Sequence, residues 1–291
     1  SLGPKQLRTV VEKYLHCASI PVLLKPNAGL PQSVNGQTVY DVTPFDFANE
    51  VAEMLKQGVR VAGGCCGTTP AYIAELTAHA ENIKPRSISQ KQNTVVSSYT
   101  HAVAFGEMPI LIGERINPTG KKRFKQALIE NDIDYILQEG LNQQEKGVHI
   151  LDVNVGLPDI DECEMLCRAT CELQAIINLP LQIDTSDPCA MEVALRRYNG
   201  KAMINSVNGK NESMRAIFPL VKKYGGVVVA LTLDEDGIPA NADGRVAIAK
   251  KILQTAGEYG IDKKDIVFDP LAMTVSADPR AAVETLVAVR R

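Results

Sequence analysis

The sequence predicts an α/β protein of parallel βα units, of the (β/α)8 barrel type, on three observations. Eight apolar runs end in Gly or a polar residue, amphipathic helical stretches separate them, and several runs finish in a carboxylate or carboxamide. The candidate strands are SIPVLLK (19–25), GVRVAG (58–63), PILIGE (109–114), VHILDVN (148–154), LPLQID (179–184), KAMINS (201–206), GVVVALTL (226–233) and DIVFDP (265–270). Eight strands would suit one barrel. However, the polar stretch between the helical PAYIAELTAHAEN (70–82) and residue 109 far exceeds a normal αβ loop of about two to six residues. It reads as an interdomain linker over residues 86–106, which leaves the last two βα units of one barrel in 1–85 and the first six strands of a second in 107–291. Two strands cannot bury both faces of a sheet, so 1–85 is expected to lean on the second part or to be poorly ordered. The chain opens at Ser1 in what reads as the loop and helix start after a strand, and ends within an amphipathic stretch, the expectation for a piece of a longer polypeptide.

Composition narrows the function classes. With 45% hydrophobic and 22% charged residues the chain reads as an ordinary soluble protein, and no apolar run approaches the roughly 18 residues of a membrane span. A net charge of -3, no Lys/Arg-rich block and no Trp argue against a nucleic-acid partner, which needs a concentrated basic face. Seven cysteines without a secretory segment fit thiols or metal ligands in a reducing cytoplasm.

Gly63-Gly64-Cys65-Cys66-Gly67-Thr68-Thr69-Pro70 follows a strand and precedes a helix, with Thr69 as cap and Pro70 at the first helical position. In a parallel barrel that end carries the active site. Cys65 and Cys66 could there hold a metal such as Zn2+, or be two structural thiols at a tight turn; the CC spacing leaves both readings open. Cys163, Cys167 and Cys171 recur every four residues and line one helix face, where packing in the core is the expectation, as it is for Cys17 and Cys189.

The second part is richer. Glu114, Asp152, Asn154, Asp184, Asn205 and Asp269 end successive strands, and a ring of such groups at one end of a sheet costs desolvation that folding alone does not explain. It suits a flat nitrogen heterocycle, because a carboxylate accepts two parallel N–H bonds and an Asn both donates and accepts. No phosphate loop is present: GERINPTG lacks both the P-loop Lys-Ser/Thr and G-x-G-x-x-G. His149 reads as structural, DEDG (234–237) as a solvated loop, and Asn211-Glu-Ser213 matches a glycosylation sequon without other signs of secretion.

GERINPTG, LDVNVGLP, LQIDTSDP, MINSVNG and FDPLAM, in this order, resemble the pterin-binding barrel of the cobalamin-dependent methionine synthase family, which is related to corrinoid methyltransferases and dihydropteroate synthases. KPNAGLP and GGCCGTTP resemble the end of the same family's homocysteine-binding barrel, and together the matches span nearly the whole chain. The resemblance implies methyl transfer from 5-methyltetrahydrofolate via cobalamin to homocysteine. It implies that Cys65 and Cys66 are two of three cysteine ligands to a catalytic zinc, the third lying directly before Ser1; Cys17 falls in the wrong place to replace it. It further implies folate binding by Glu114, Asn117, Asp152, Asn154, Asp184, Asn205 and Asp269, with Asp184 and Asn205 at the catalytic centre and the last two strands beyond Arg291. Cobalamin would be carried by a separate domain of the longer polypeptide. The competing readings are a stand-alone pterin enzyme and a non-catalytic remnant.

Overall fold

The computed structural model describes every residue except Ser1, Glu107, Val275, Ala277 and Asp278, and its internal contacts divide the chain into two units, Ser1–Gln92 and Asn93–Arg291. The first unit runs α1 (Pro4–Cys17), β1 (Leu23–Leu24), a hairpin of β2 (Gln32–Val34) and β3 (Gln37–Val39), α2 (Pro44–Gln57), β4 (Val61–Ala62) and α3 (Pro70–Ala80). Pro44 pre-sets the first turn of α2, and the Thr43 side chain accepts the Asp46 N–H that the helix leaves unpaired. Thr69 occupies the cap position of α3 as anticipated, but its side chain makes no cap bond. β1 and β4 pair in parallel, Leu23 with Val61 and Leu24 with Ala62. These two-residue strands are far shorter than the apolar runs suggested. The unit nevertheless has its own core of Val11, Leu24, Phe47, Val51, Met54, Val59 and Leu76, because α2 supplies an apolar face that α1, α3 and the strand pair cover.

The second unit begins inside the stretch read as a linker. β5 (Val95–Ser97) and β6 (Ala102–Ala104) form an antiparallel hairpin there. A parallel sheet follows: β7 (Ile112–Ile116), α4 (Lys122–Ile129), α5 (Ile133–Glu145), β8 (Ile150–Val153), α6 (Glu162–Ile176), β9 (Leu181–Asp184), α7 (Pro188–Arg197), β10 (Met203–Asn208), α8 (Asn211–Tyr224), β11 (Val227–Leu231), α9 (Ala242–Glu258), β12 (Ile266–Asp269) and α10 (Pro279–Arg290). The six long strands lie in sequence order, β7 to β12, all parallel. Short βα connections and right-handed crossovers produce this order.

Side chains alternate across each strand, and the alternation separates two cores. Leu151, Val153, Leu181, Ile183, Ile204 and Val228 face the helices in the larger core. Ile112, Ile150, Met203, Val227, Val229 and Val267 face inward, where Val96 and Val103 of the hairpin join them. The hairpin is held against the N-terminal end of the sheet: Ser97 N–H donates to Lys201 O at 2.9 Å, and the Tyr198 hydroxyl donates to Ser97 O at 2.9 Å while accepting from Leu181 N–H at 3.0 Å. Burial pushes the Tyr198 phenol up to about 12. The inner face is therefore closed and apolar at the bottom and polar toward the strand ends.

Of the scattered cysteines, Cys163 packs against the larger core as expected, and the others depart from that expectation. Cys17 and Cys189 are exposed, and Cys163, Cys167 and Cys171 are only partly buried. Their spacing places them toward the side of α6 that meets α7 and not under it; Cys163 interacts with Cys189, and Cys167 with Cys171. His149 is structural: its Nδ1 accepts the Leu111 N–H at 2.9 Å.

Candidate functional site

Two inward layers stack at the C-terminal ends of β8 to β10. The lower pairs Asp152 with Gln182, followed in register by Met203. The upper pairs Asp184 with Asn205 and then Val229. Asn154 joins the upper layer by donating Nδ2–H to Asp184 Oδ2 at 2.9 Å, while its Oδ1 accepts Gly156 N–H at 2.9 Å. Directly after β7, Asn117 is buried and donates to Glu114 Oε1 at 3.1 Å. Glu114 itself is exposed.

A strand-end Asp often serves only the turn that follows, so each must be weighed against that use. After β9 the turn is satisfied by other residues. Thr185 Oγ1 accepts Asp187 N–H at 3.0 Å, and Asp187 accepts Cys189 N–H at 2.8 Å as the cap of α7. The Asp184 carboxylate is thus not used by its own turn, and it keeps acceptor capacity beyond the bond from Asn154. Asp269 differs, because its Oδ1 accepts Leu271 N–H at 2.7 Å, and it meets none of the other predicted residues through a hydrogen bond among the described residues. Its register partner is Leu231, two residues further along β11 than Val229 of the Asp184 layer.

The cluster is acidic. Burial pushes the Asp152 carboxyl up to about 7, the charges of Asp184 and Glu114 acting in the same direction and the amides of Gln182 and Asn205 against it. Burial also raises Asp184, opposed by the Asn154 hydrogen bond and aided by the charges of Glu114 and Glu162. Among the described residues no cation figures in the causes acting on either carboxyl. Such a surface favours a ligand edge rich in N–H donors or carrying positive charge. Beside it lies a cavity of about 560 Å3 lined by Asp184, Asn205, Ser206, Asn208, Lys210 and Ser213, within the size range of small-ligand pockets. Gln182, Thr185 and Glu162 were not foreseen as participants. Gln182 shares the inward parity of Asp184 in LQIDT, which was the available signal; Thr185 has the opposite parity and Glu162 opens α6, and no local pattern signals the hydrogen bond between them.

In the first unit the loops after β1 and β4 come together. Ala28 N–H donates to Cys66 O at 3.0 Å, Cys65 N–H to Pro26 O at 2.9 Å, and Cys66 N–H to the buried Asn27 Oδ1 at 3.2 Å. Cys65 Sγ and Cys66 Sγ lie 3.9 Å apart, both exposed. That separation matches the edge of a tetrahedron of sulfurs around zinc, about 3.8 Å for Zn–S bonds of about 2.3 Å. Two thiolates fit such an ion as part of a ligand set, and among the described residues no third His, Cys, Asp or Glu completes one. Tyr40 was also missed. Gly67 adopts φ of 79°, and a Cβ there would fall 2.3 Å from the Tyr40 ring, so this ring lies directly on the loop. Burial raises the Tyr40 phenol, as do the charge of and hydrogen bond to Cys66.

The pterin binding enzyme family model matches residues 113–290, more than half of the chain. The chain belongs to that family. The homocysteine S-methyltransferase family model matches residues 1–80. A methionine synthase of Mycobacterium tuberculosis is 32% identical over 301 residues, and one of Mycobacterium leprae 29% identical over 306. Each alignment takes in 99% of this chain and 25% of the relative, so the chain spans about a quarter of those proteins' length. Among solved structures, a dihydropteroate synthase of Xanthomonas albilineans with 4-aminobenzoic acid aligns with a TM-score of 0.51 at 20% identity, covering 68% of this chain and 73% of that one. The same enzyme with indole-2-carboxylic acid and 6-chloroguanine gives 0.51 and 20%, covering 68% and 72%. These likenesses establish the α/β barrel-type fold, and both family matches bear out the resemblance to methionine synthases. No helix among the described residues is long and apolar enough to cross a membrane.

Proposed function

We propose that this chain provides the pterin-binding part and the end of the homocysteine-binding part of a methionine synthase, a methyltransferase that passes a methyl group from 5-methyltetrahydrofolate via cobalamin to homocysteine, yielding methionine and tetrahydrofolate. The observation that carries the reading is the Asn154–Asp184–Asn205 layer, whose carboxylate is not consumed by its own turn, in the same chain as the paired thiols. Residues 1–85 and 107–291 are the two functional parts on this reading, and of the stretch between them residues 93–106 pack with the second.

Asp184 accepts N–H bonds from the amino-pyrimidinone edge of the pterin, Asn205 and Asn154 orient that edge, and Glu114, Asn117, Asp152 and Asp269 complete the folate site. Loss of a methyl from a tertiary amine leaves a poor amide leaving group, so N5 must gain a proton. The acidic cluster stabilises the cation that this produces. In the first unit Cys65 and Cys66 would hold zinc, which when bound keeps a substrate thiol ionised at neutral pH. Asn27 fixes the loop that carries both thiols. Cobalamin belongs to a domain of the longer polypeptide, which is the partner on this reading, and the site of action is the cytoplasm.

The direct test is calorimetric titration of the longer polypeptide with 5-methyltetrahydrofolate. Asp184→Ala should weaken binding by about 1.5–3 kcal/mol, the range for hydrogen bonds to a charged group. An unchanged titration removes Asp184 from the site. Metal analysis tests the thiols: a Cys65→Ser, Cys66→Ser protein that retains its full zinc content refutes that assignment.

A further inference from the structure

Two neighbouring side chains on the floor of the candidate site each carry a buried oxygen outside any hydrogen bond of normal geometry among the described residues, Asp152 Oδ2 and Gln182 Oε1, although the Asn205 amide lies close enough to act on the Asp152 carboxyl as a donor. Their companion atoms are joined, Gln182 Nε2 donating to Asp152 Oδ1 at 2.5 Å. The residues are register partners on adjacent strands, and they are 1% and 6% exposed. As long as Asp152 is ionised, both unpaired oxygens are acceptors, and neither can satisfy the other. One proton resolves both. On a neutral Asp152, Oδ2–H donates to Gln182 Oε1 while Oδ1 keeps the Nε2–H bond, closing a ring of two opposed hydrogen bonds between an acid and an amide.

We propose that Asp152 and Gln182 form a proton-holding pair beneath the pterin layer, with Gln182 the positioning residue that fixes the proton on Oδ2 of Asp152. The surroundings agree from each strand that acts on the carboxyl. Asp184 on β9 and Glu114 on β7 are anionic and disfavour a second charge, while β10 contributes only the neutral Asn205 amide. Burial and those charges push the Asp152 carboxyl up to about 7, so it exchanges its proton near neutrality. The use of the pair rests on the methyl-transfer reading. There, a neutral Asp152 lets Asp184 stand ionised against the pterin without a second anion directly beneath it.

The test is carbon NMR of the chain labelled at aspartate carboxyls, titrated from about pH 4 to 9, with Asp152→Asn to assign the signal. Asp152 should titrate near neutrality, about three pH units above an ordinary aspartate. In Gln182→Met the midpoint should fall by about half a unit or more, because the neutral acid loses both bonds of the ring while the carboxylate loses one bond together with the facing Oε1 acceptor, and a rise overturns the ring. The pH profile of 5-methyltetrahydrofolate affinity should move with it. An Asp152 signal that titrates below pH 5 in the unsubstituted chain overturns the proposal, and if Asp152→Asn does not fold, the signal is assigned by through-bond correlation to the Asp152 backbone in the labelled native chain. A midpoint indifferent to Gln182→Met overturns the positioning role. If the midpoints behave as stated but no folate binds, the pair stands and the methyl-transfer reading falls.

Discussion

Replacing Arg245 with Met should destabilise the second unit while leaving the Asp184 layer in place. Arg245 lies on α9 and is 2% exposed. Its Nε donates to Pro239 O at 3.1 Å, and its Nη1 to Pro270 O at 3.0 Å and to Thr285 Oγ1 at 2.7 Å, with a longer contact to Leu271 O at 3.4 Å. One guanidinium thus ties the loop after β11, the loop directly after Asp269, and α10. Its hydrogen-bond partners among the described residues are neutral, so it acts through dipoles and not through an ion pair. Three good bonds from a charged donor, at the lower end of about 1.5–3 kcal/mol each, set the loss at about 4.5 kcal/mol; Met keeps a similar volume and limits the cavity. Denaturant unfolding followed by circular dichroism measures the total. Hydrogen exchange by mass spectrometry should show faster opening in peptides covering 266–290, with those covering 150–208 little changed. A loss below about 1 kcal/mol, or exchange raised evenly across the unit, would refute the view that Arg245 secures this end of the sheet.

Other consequences follow from the same contacts. With its native carboxyl near 7 against about 3.9 in the unfolded chain, Asp152 binds a proton on folding, so stability of the second unit should increase as pH falls from about 7 to 4, by on the order of 4 kcal/mol from this group. A denaturation midpoint that rises steadily from pH 5 to 8 would contradict that sign. Gly67→Ala forces a Cβ into the Tyr40 ring at positive φ, and should cost the first unit about 1–3 kcal/mol and reduce zinc uptake by the longer protein; thermal melts and metal analysis decide it. The Cys189 hydrogen bond, with burial, pushes Cys163 up to about 11, so it should alkylate more slowly than the exposed Cys65 and Cys66; mass mapping that finds equal rates would rule this out.

Much of the architecture was legible because hydrophobic alternation is local. All eight apolar runs overlap a strand, and the Asp and Asn residues at the ends of β8, β9 and β10 occupy one end of one sheet. The two hairpins escaped notice. QSVNGQTV carries the Asn-Gly turn signal, with Asn35 and Gly36 both at positive φ, but its strands are polar and fully exposed. VVSSYTHAVA sits in a polar stretch whose length suggested a linker, and its role depends on Val96 and Val103 meeting Met203 and Val227 far along the chain.

The sequence by itself determined the strand order, the polarity of the strand ends and the adjacency of Cys65 and Cys66, since each depends on residue type and spacing along a few turns of chain. Only the tertiary structure decided which of these groups is available for chemistry. Asp187 and Thr185 relieve Asp184 of its turn, Leu271 claims Asp269, register sets Gln182 against Asp152, and Tyr40 reaches the thiol loop from a hairpin 26 residues earlier than Cys66. Hydrogen-bond satisfaction is settled by partners that strand pairing and loop packing bring together, and no spacing within a motif records it.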